Sequence, residues 1–247
     1  MKVSAVLQAG TAGCDAPTAF RGRLHREFLE LPAGVRVVGL SLTVVACAAL
    51  AFALWRPVQV VPLLHPAPLL TFRDANGFPV TSAGLDGTIV LLQFSALRCA
   101  APCPDGHAAL QAIQRRFDAS PPPVPVRLVT VVLDAGATSA ALRARETAMG
   151  AAPRWWRAAA GDARALKNAI GAGFGVYYTA DAAGRVAFEP ATILVDGRGI
   201  VRAEYRTASP DVRRLARDLD LVVREAASRG PVRAAYAAAH LFLCYPR

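Results

Sequence analysis

The sequence predicts an α/β domain with a mixed sheet covered by helices on both faces, preceded by one membrane-spanning helix. An uncharged apolar stretch runs from residue 37 to 55, and strand patterns alternate with helical patterns from Leu69 onward. Two cysteines, Cys99 and Cys103, stand between an apolar strand and a predicted helix. Together these features predict an exported domain that carries a thiol site.

Composition limits the classes of function. The chain has 247 residues, a net charge of +10 and a mean hydropathy of +0.33, which fits one soluble domain plus one membrane segment. The positive charge comes almost entirely from arginine, and no basic run is interleaved with aromatic residues, so nucleic-acid binding is not expected. The five cysteines follow neither a disulfide framework nor the paired spacing of a structural zinc site.

The apolar stretch Val37–Trp55 is the predicted membrane anchor. Its 19 residues contain no charge, and at about 1.5 Å of rise per residue they match a bilayer core of about 30 Å. Arginines 21, 23 and 26 precede it, so residues 1–36 are expected in the cytoplasm and the main domain in the periplasm. The predicted location is the inner membrane, with a single pass and no cleaved signal peptide.

The remaining chain divides into three predicted parts. Residues 56–68 form a proline-rich, extended tether, 69–228 the α/β domain, and 229–247 a tail without a functional assignment that includes Cys244. Within the domain, the patterns predict a hairpin around Asn76-Gly77 and a weak strand near Val186. The stronger strands are predicted at Thr88–Phe94, Val124–Leu133, Ala191–Val195 and Ile200–Tyr205, and the helices at Cys103–Phe117, Ser139–Met149, Ala163–Ile170 and Asp211–Ala227.

The segment Cys99-Ala-Ala-Pro-Cys103-Pro104 is the predicted site of chemistry. A helix N-terminus favours negative charge, so it lowers the pKa of a thiol placed there and populates the nucleophilic thiolate. Outside the cytoplasm, two nearby thiols form a disulfide, a dithiol kept reduced by a partner, or a soft-metal site. Thiol–disulfide exchange would use Cys99 as the attacking thiolate and Cys103 as the resolving thiol, with Arg98 favouring the thiolate.

His107 is a candidate third ligand. It follows Cys103 by four residues, so a helix starting at Cys103 would place both side chains on one face. Cys99, Cys103 and His107 would then form a soft-metal site, or His107 would stabilise a thiolate. The alternative is a histidine that only packs against the domain or faces solvent.

The run from Leu69 to Ala227 resembles the Sco/SenC family. The matching pieces are FRDANGFPVTSAGLDGTIVLLQFSALRCAAPCP, VRLVTVVLD, NAIGAGFGVYY and ILVDGRGIVRAEYR. This resemblance implies a thioredoxin-like fold and copper bound by Cys99, Cys103 and a distant histidine. It also implies a role in maturing the dinuclear copper centre of cytochrome c oxidase, by delivering copper or by reducing cysteines. The expected partner is the copper-binding subunit of the oxidase or another periplasmic thiol protein.

The chain departs from the family pattern at the histidine. Phe188 occupies that position, and Glu189-Pro190 follows it directly before a strand. Pro190 is similar to the cis-proline that lies beside the cysteines of thioredoxins and TlpA-like reductases, and the alternative is a simple strand-edge proline. Pro190 therefore joins Cys99 and Cys103 as a predicted site residue.

Four functions remain open. The leading one is a Sco-like assembly factor acting mainly through thiol exchange, with copper(I) binding at Cys99 and Cys103 as a second capacity. The others are a metallochaperone, a general TlpA-like thiol–disulfide oxidoreductase unrelated to copper, and a scaffold with a static disulfide. The protein is an enzyme, a thiol–disulfide oxidoreductase, only if thiol exchange is its function.

Overall fold

The computed structural model describes residues 32–55, 58–100 and 106–242, with the side chains of residues 52–55 and 242 left out. The chain forms two compact units, residues 1–56 and 57–247. The first contains helix α1, Ala33–Trp55, whose Ala33–Ala51 segment has a mean hydropathy of 2.0. This helix is long and apolar enough to cross a membrane, and it begins four residues before the predicted Val37.

The second unit is built on an eight-stranded sheet with the order β1-β10-β9-β4-β5-β6-β2-β3, beside a two-stranded hairpin, β7-β8. The strands are β1 His65–Pro66, β2 Thr71–Asp74, β3 Pro79–Thr81, β4 Ile89–Ser95, β5 Val126–Val132, β6 Trp156–Ala160, β7 Tyr178–Ala180, β8 Val186–Phe188, β9 Thr192–Val195 and β10 Ile200–Tyr205. The helices are α2 His107–Ala119, α3 Ser139–Met149, α4 Ala163–Leu166, α5 Val212–Ala227 and α6 Gly230–Phe242; a π-helical segment, Lys167–Gly173, continues α4.

The sheet is mixed, as the sequence predicted. Strands β4, β5 and β6 are parallel and are joined through α2 and α3, whereas β9 runs antiparallel to β4 and turns back into β10. Because β4 and β9 run in opposite directions, the cysteine loop that follows β4 lies at one end of the sheet and the β9–β10 turn at the other.

Both faces of the sheet are covered, and β4 shows why. Its side chains alternate, so Ile89 and Leu91 join the core under α2, α3 and α5, while Val90, Leu92 and Phe94 join the core under α4 and the π-helical segment. All seven residues of β4 are buried, which explains the continuous apolar run in the sequence. Every residue of both cores lies within the second unit, so residues 58–247 contain a complete fold.

Part of the predicted tether belongs to the domain. Strand β1 pairs with β10, the amide of Leu64 donates to the carbonyl of Val201 at 2.9 Å, and Val61 is buried. The chain that separates α1 from the domain is therefore shorter than the predicted segment 56–68.

Three elements differ from the sequence predictions. Helix α2 begins at His107, with Gly106 as its N-cap in a non-helical conformation, so the predicted start at Cys103 is wrong. The shared helical face predicted for Cys103 and His107 relied on that start, and Cys103 itself lies outside the described residues. Strands β6 and β7 were not predicted, because β6 contains three alanines and β7 is only three residues long.

Candidate functional site

Cys99 lies in the loop after β4 and is held there by backbone pairing with β8. The amide of Ala100 donates to the carbonyl of Val186 at 2.9 Å, and the amide of Val186 donates to the carbonyl of Arg98 at 2.7 Å. The Cys99 side chain is half-buried and packs against the core that contains Phe94. The cysteine is therefore fixed in place but still reachable from solvent.

Arg98 attaches the β7–β8 hairpin to this loop. Its Nη1 donates to the carbonyl of Ala183 at 3.1 Å. The guanidinium also lies over Gly184, where an added Cβ would be 2.5 Å from Arg98 Nη2. The hairpin turn itself is braced by Asp181, whose pKa is lowered by hydrogen bonds from the backbone and the side chain of Arg185. Arg98 thus links the cysteine loop and the turn.

A cavity of about 320 Å³ lies between the hairpin and α4 and is lined by Arg98, the residue before Cys99. Asp134 lines it at the end of β5, and its Oδ2 accepts a hydrogen bond of 2.6 Å from the amide of Leu97, which anchors the start of the cysteine loop. Tyr178 also lines the cavity, and burial raises the pKa of its phenol.

His107 lies on the other face of the sheet, in a polar network that sequence reasoning missed. Its Nε2 is 2.9 Å from Arg145 Nη2, and its Nδ1 is 3.4 Å from Gln93 Oε1. Arg145 also donates to Ser95 Oγ, through Nε at 3.1 Å and through Nη2. Gln93 and Ser95 are buried at the end of β4, and two polar residues at alternate positions of an apolar strand are the sequence signal that could have revealed this network.

The network orients the His107 ring. Arginine is always a donor, so Nε2 faces the Arg145 guanidinium as an acceptor, and Nδ1 faces Gln93. Cys99 packs against the opposite face of the sheet. To bind a metal together with Cys99, His107 would have to release Arg145, so its ligand role remains a prediction that this geometry does not favour.

Cys103 and Pro190 are the remaining predicted site residues, and Phe188 stands at the position of the family's histidine. Cys103 falls within residues 101–105, outside the described residues. Pro190 is half-buried directly before the buried Ala191, which leads into β9. Phe188 ends β8, the strand that pairs with Cys99, and packs against the same core as Cys99. Among the described residues, no group of three His, Cys, Asp or Glu side chains could hold a metal ion.

No protein-family model matches this sequence, and neither does any curated protein. Solved structures do match the fold. A SCO1/SenC family lipoprotein from Bacillus anthracis is 18% identical, with a TM-score of 0.56 over 65% of this chain and 96% of its own. Arabidopsis thaliana ScoI with copper bound is 21% identical, with a TM-score of 0.54 over 64% of this chain and 98% of its own.

A third structure, BsSco, is described as a member of the Sco family of cytochrome c oxidase assembly proteins with a disulfide switch. It is 18% identical, with a TM-score of 0.55 over 67% of this chain and 98% of its own. At these identities the match concerns the fold, and it confirms the thioredoxin-like architecture that the resemblance implied. The second unit of this chain therefore has the fold of the Sco/SenC proteins.

Proposed function

We propose that this protein is a divergent, membrane-anchored member of the Sco/SenC family that assists assembly of the copper centre of cytochrome c oxidase by thiol–disulfide exchange. The observation that carries the proposal is Cys99, held half-buried at the end of the central strand of a Sco-type fold. Helix α1 anchors the chain in the inner membrane, residues 1–31 are cytoplasmic, and the domain is periplasmic. The partner is the copper-binding subunit of the oxidase or another periplasmic thiol protein.

The exchange uses Cys99 and Cys103. The Cys99 thiolate attacks one sulfur of a partner disulfide, forms a mixed disulfide and releases the other partner sulfur as a thiolate, which takes a proton from water. The Cys103 thiolate then attacks Cys99, which frees the second partner sulfur and leaves a Cys99–Cys103 disulfide. The partner gains two electrons and this protein loses two. A periplasmic dithiol reductant of the thioredoxin class would return the pair to the reduced form.

Copper(I) is the second proposed cargo. We expect it to be held weakly, because Phe188 stands where the family has its histidine ligand. Two thiolates suit copper(I), and an imidazole would complete a more selective site. Phe188 supplies a hydrocarbon ring on the strand that pairs with Cys99. The donor set therefore favours exchange chemistry, with Cys99 and Cys103 alone available to copper and His107 engaged by Arg145.

A TlpA-like oxidoreductase unrelated to copper is the second candidate. Two features favour it, the phenylalanine at position 188 and Pro190, which comes shortly before β9, the strand that pairs with β4. A proline before β9 would shape the surface on which a partner disulfide docks, as in thioredoxin-type reductases. The two candidates differ in partner and in affinity for copper.

The test uses the reduced domain, residues 58–247, with Cys99→Ser, Cys103→Ser and His107→Ala beside the parent. Copper(I) is titrated against a competing chelator, and reduction of a disulfide-bonded oxidase copper-subunit domain is followed separately. We expect rapid reduction of that domain, lost in both cysteine variants, and weak copper binding. His107→Ala should leave both properties unchanged.

Three results would change the conclusion. Tight one-to-one copper binding that is lost in the cysteine variants would make this protein a metallochaperone. Reduction of unrelated disulfides as fast as the oxidase domain, with no copper bound, would favour the TlpA-like function. A Cys99–Cys103 disulfide that dithiols with the reduction potential of periplasmic reductants cannot reduce would leave only a structural role for the pair.

A further inference from the structure

We infer that helix α6 is an interfacial element that lies against an anionic lipid surface. The inference rests on the proposed anchoring through α1, but it concerns a different part of the chain. Helix α6 covers Gly230–Phe242 and packs on the domain through Tyr236 and Ala239, which are buried. Its sequence is nearly all apolar, and the thiol function gives it no role.

The outward face of α6 carries apolar side chains. Ala234 and Ala237 are exposed, and Leu241 is 81% exposed. At about 100° per residue these three positions lie on one side of the helix, opposite Tyr236 and Ala239. A helix of a soluble domain normally turns polar residues outward, so an apolar outer face indicates an apolar neighbour. The sequence continues apolar beyond the helix, with Leu243 and Tyr245.

The charged side chains of the sequence from residue 226 onward are arginines. No aspartate or glutamate follows Glu225 in the sequence, whereas arginines stand at positions 229, 233 and 247. Arg229 and Arg233 are exposed and form no ion pair with any other described residue. A helix that combines an apolar face with arginines at its edge is typical of segments that bind anionic membrane surfaces, where each cation adds attraction to the headgroups.

The buried Arg202 connects α6 to the point where the chain leaves the domain. Its Nη2 donates to the carbonyl of Val61 at 2.7 Å and to Glu225 Oε2 at 2.7 Å, and it lies 3.4 Å from His240 Nε2 on α6. Five residues, 56–60, separate Val61 from the last residue of α1. The point where the chain enters the domain, at Val61, and helix α6 therefore lie at the same end of the domain.

A second copy of the chain is a less suitable occupant of this face. A second copy of the chain would bring its own arginines against Arg229 and Arg233, and like charges repel. Lipid phosphates supply the opposite charge and an apolar phase together.

The test uses the full chain reconstituted in nanodiscs, either of phosphatidylcholine alone or with a minority of phosphatidylglycerol. Hydrogen exchange of the α6 amides is measured for the parent, Leu241→Ser, and Arg229→Gln with Arg233→Gln. We expect hydrogen exchange of α6 to slow when phosphatidylglycerol is present. In the double arginine variant the factor by which exchange slows should be smaller, by about fivefold for each arginine removed. Leu241→Ser should lose it in part.

Matched controls separate this face from general effects. Arg115→Gln removes an exposed arginine of α2, and Phe78→Ser removes a side chain that is 66% exposed in the β2–β3 hairpin. Both should behave as the parent. Equal exchange of α6 in the two lipids would overturn the inference, and so would slowing that needs two chains per disc, since that would identify a second copy as the occupant. Failure of the chain to enter nanodiscs would contradict the anchor itself.

Discussion

The two ends of the central sheet each place an arginine among polar groups, and they do so differently. At one end, Arg202 is almost fully buried and donates to Asp196 Oδ2 at 3.0 Å, to Glu225 and to two backbone carbonyls. At the cysteine end, Arg145 is half-buried and contacts a serine hydroxyl and a histidine ring. The first end joins four segments of chain, and the second leaves a loop with access to solvent. The comparison shows that the buried charged groups lie at the end of the sheet opposite Cys99.

The largest effect is expected at Arg202. Arg202→Met would remove the buried cation that Asp196 and Glu225 share and leave them with the exposed Arg198, and removing one partner of a buried pair costs about 3–5 kcal/mol. Chemical denaturation of residues 58–247 should show this loss. The control is Arg198→Gln, since Arg198 pairs with Asp196 but is 60% exposed, and an exposed pair contributes about 0–1 kcal/mol. Equal losses in the two variants would contradict the distinction between buried and exposed arginines.

A smaller effect is expected at the cysteine end. Arg145→Met would remove the donor to Ser95 Oγ, which is buried, and leave His107 Nε2 without this partner. The expected loss in unfolding free energy is about 1–3 kcal/mol, the cost of a buried polar group left unsatisfied. Arg115→Met, at an exposed position of α2, should cost less than about 0.5 kcal/mol. A loss at Arg145 as large as that at Arg202 would show that the cysteine end is equally rigid.

Phe188→His would sharpen the comparison by adding a ligand at the cysteine end. Phe188 ends the strand that pairs with Cys99, so an imidazole there would join the two thiolates that we propose for copper. Copper(I) affinity, measured against a chelator, should rise by about tenfold or more, the scale on which metal-site partners act. Tyr178→His is the matched control, because Tyr178 pairs with Phe188 across the hairpin. An equal gain in both variants would exclude a specific site.

The weakest effect concerns pH at the Arg202 end. Burial alone would raise the pKa of Asp196, but hydrogen bonds from the amides of Ile200 and Arg198 and from two arginine side chains outweigh it, so the pKa is lowered. A carboxyl group with a lowered folded-state pKa stabilises the protein above its unfolded value of about 3.9, and this contribution is lost as the pH falls through the folded value. Asp196→Asn should flatten the stability profile in that acidic range. An unchanged profile would contradict the lowered pKa.

Sequence patterns predicted most of the fold because its strands are apolar and its helices amphipathic. Strand β4 reads as a continuous apolar run since it is buried on both faces, and α5 shows its inward stripe of Leu215, Leu219 and Val222 directly. Strand β6 escaped prediction because its alanines carry no strand preference, and only pairing with β5 and β2 makes them extended.

The site was harder to predict than the fold. Cysteine spacing identified Cys99 and its loop, but the start of α2 was placed too early because no strong N-cap residue marks it. The contacts of His107 depend on Arg145, which is 38 residues away in the sequence, and such distances leave no local pattern. The polar residues Gln93 and Ser95 were visible in the sequence, but their meaning came only with the partners across the sheet.

Gly106 carries a consequence for how this protein and its relatives can vary. A Cβ at that position would overlap Gln93 Nε2 and would lie 3.3 Å from the carbonyl oxygen of Ala208. A larger residue at the entrance to α2 therefore requires the end of the Gln93 side chain to turn away or a shorter residue at position 93. Either change would also alter the contact between Gln93 and His107.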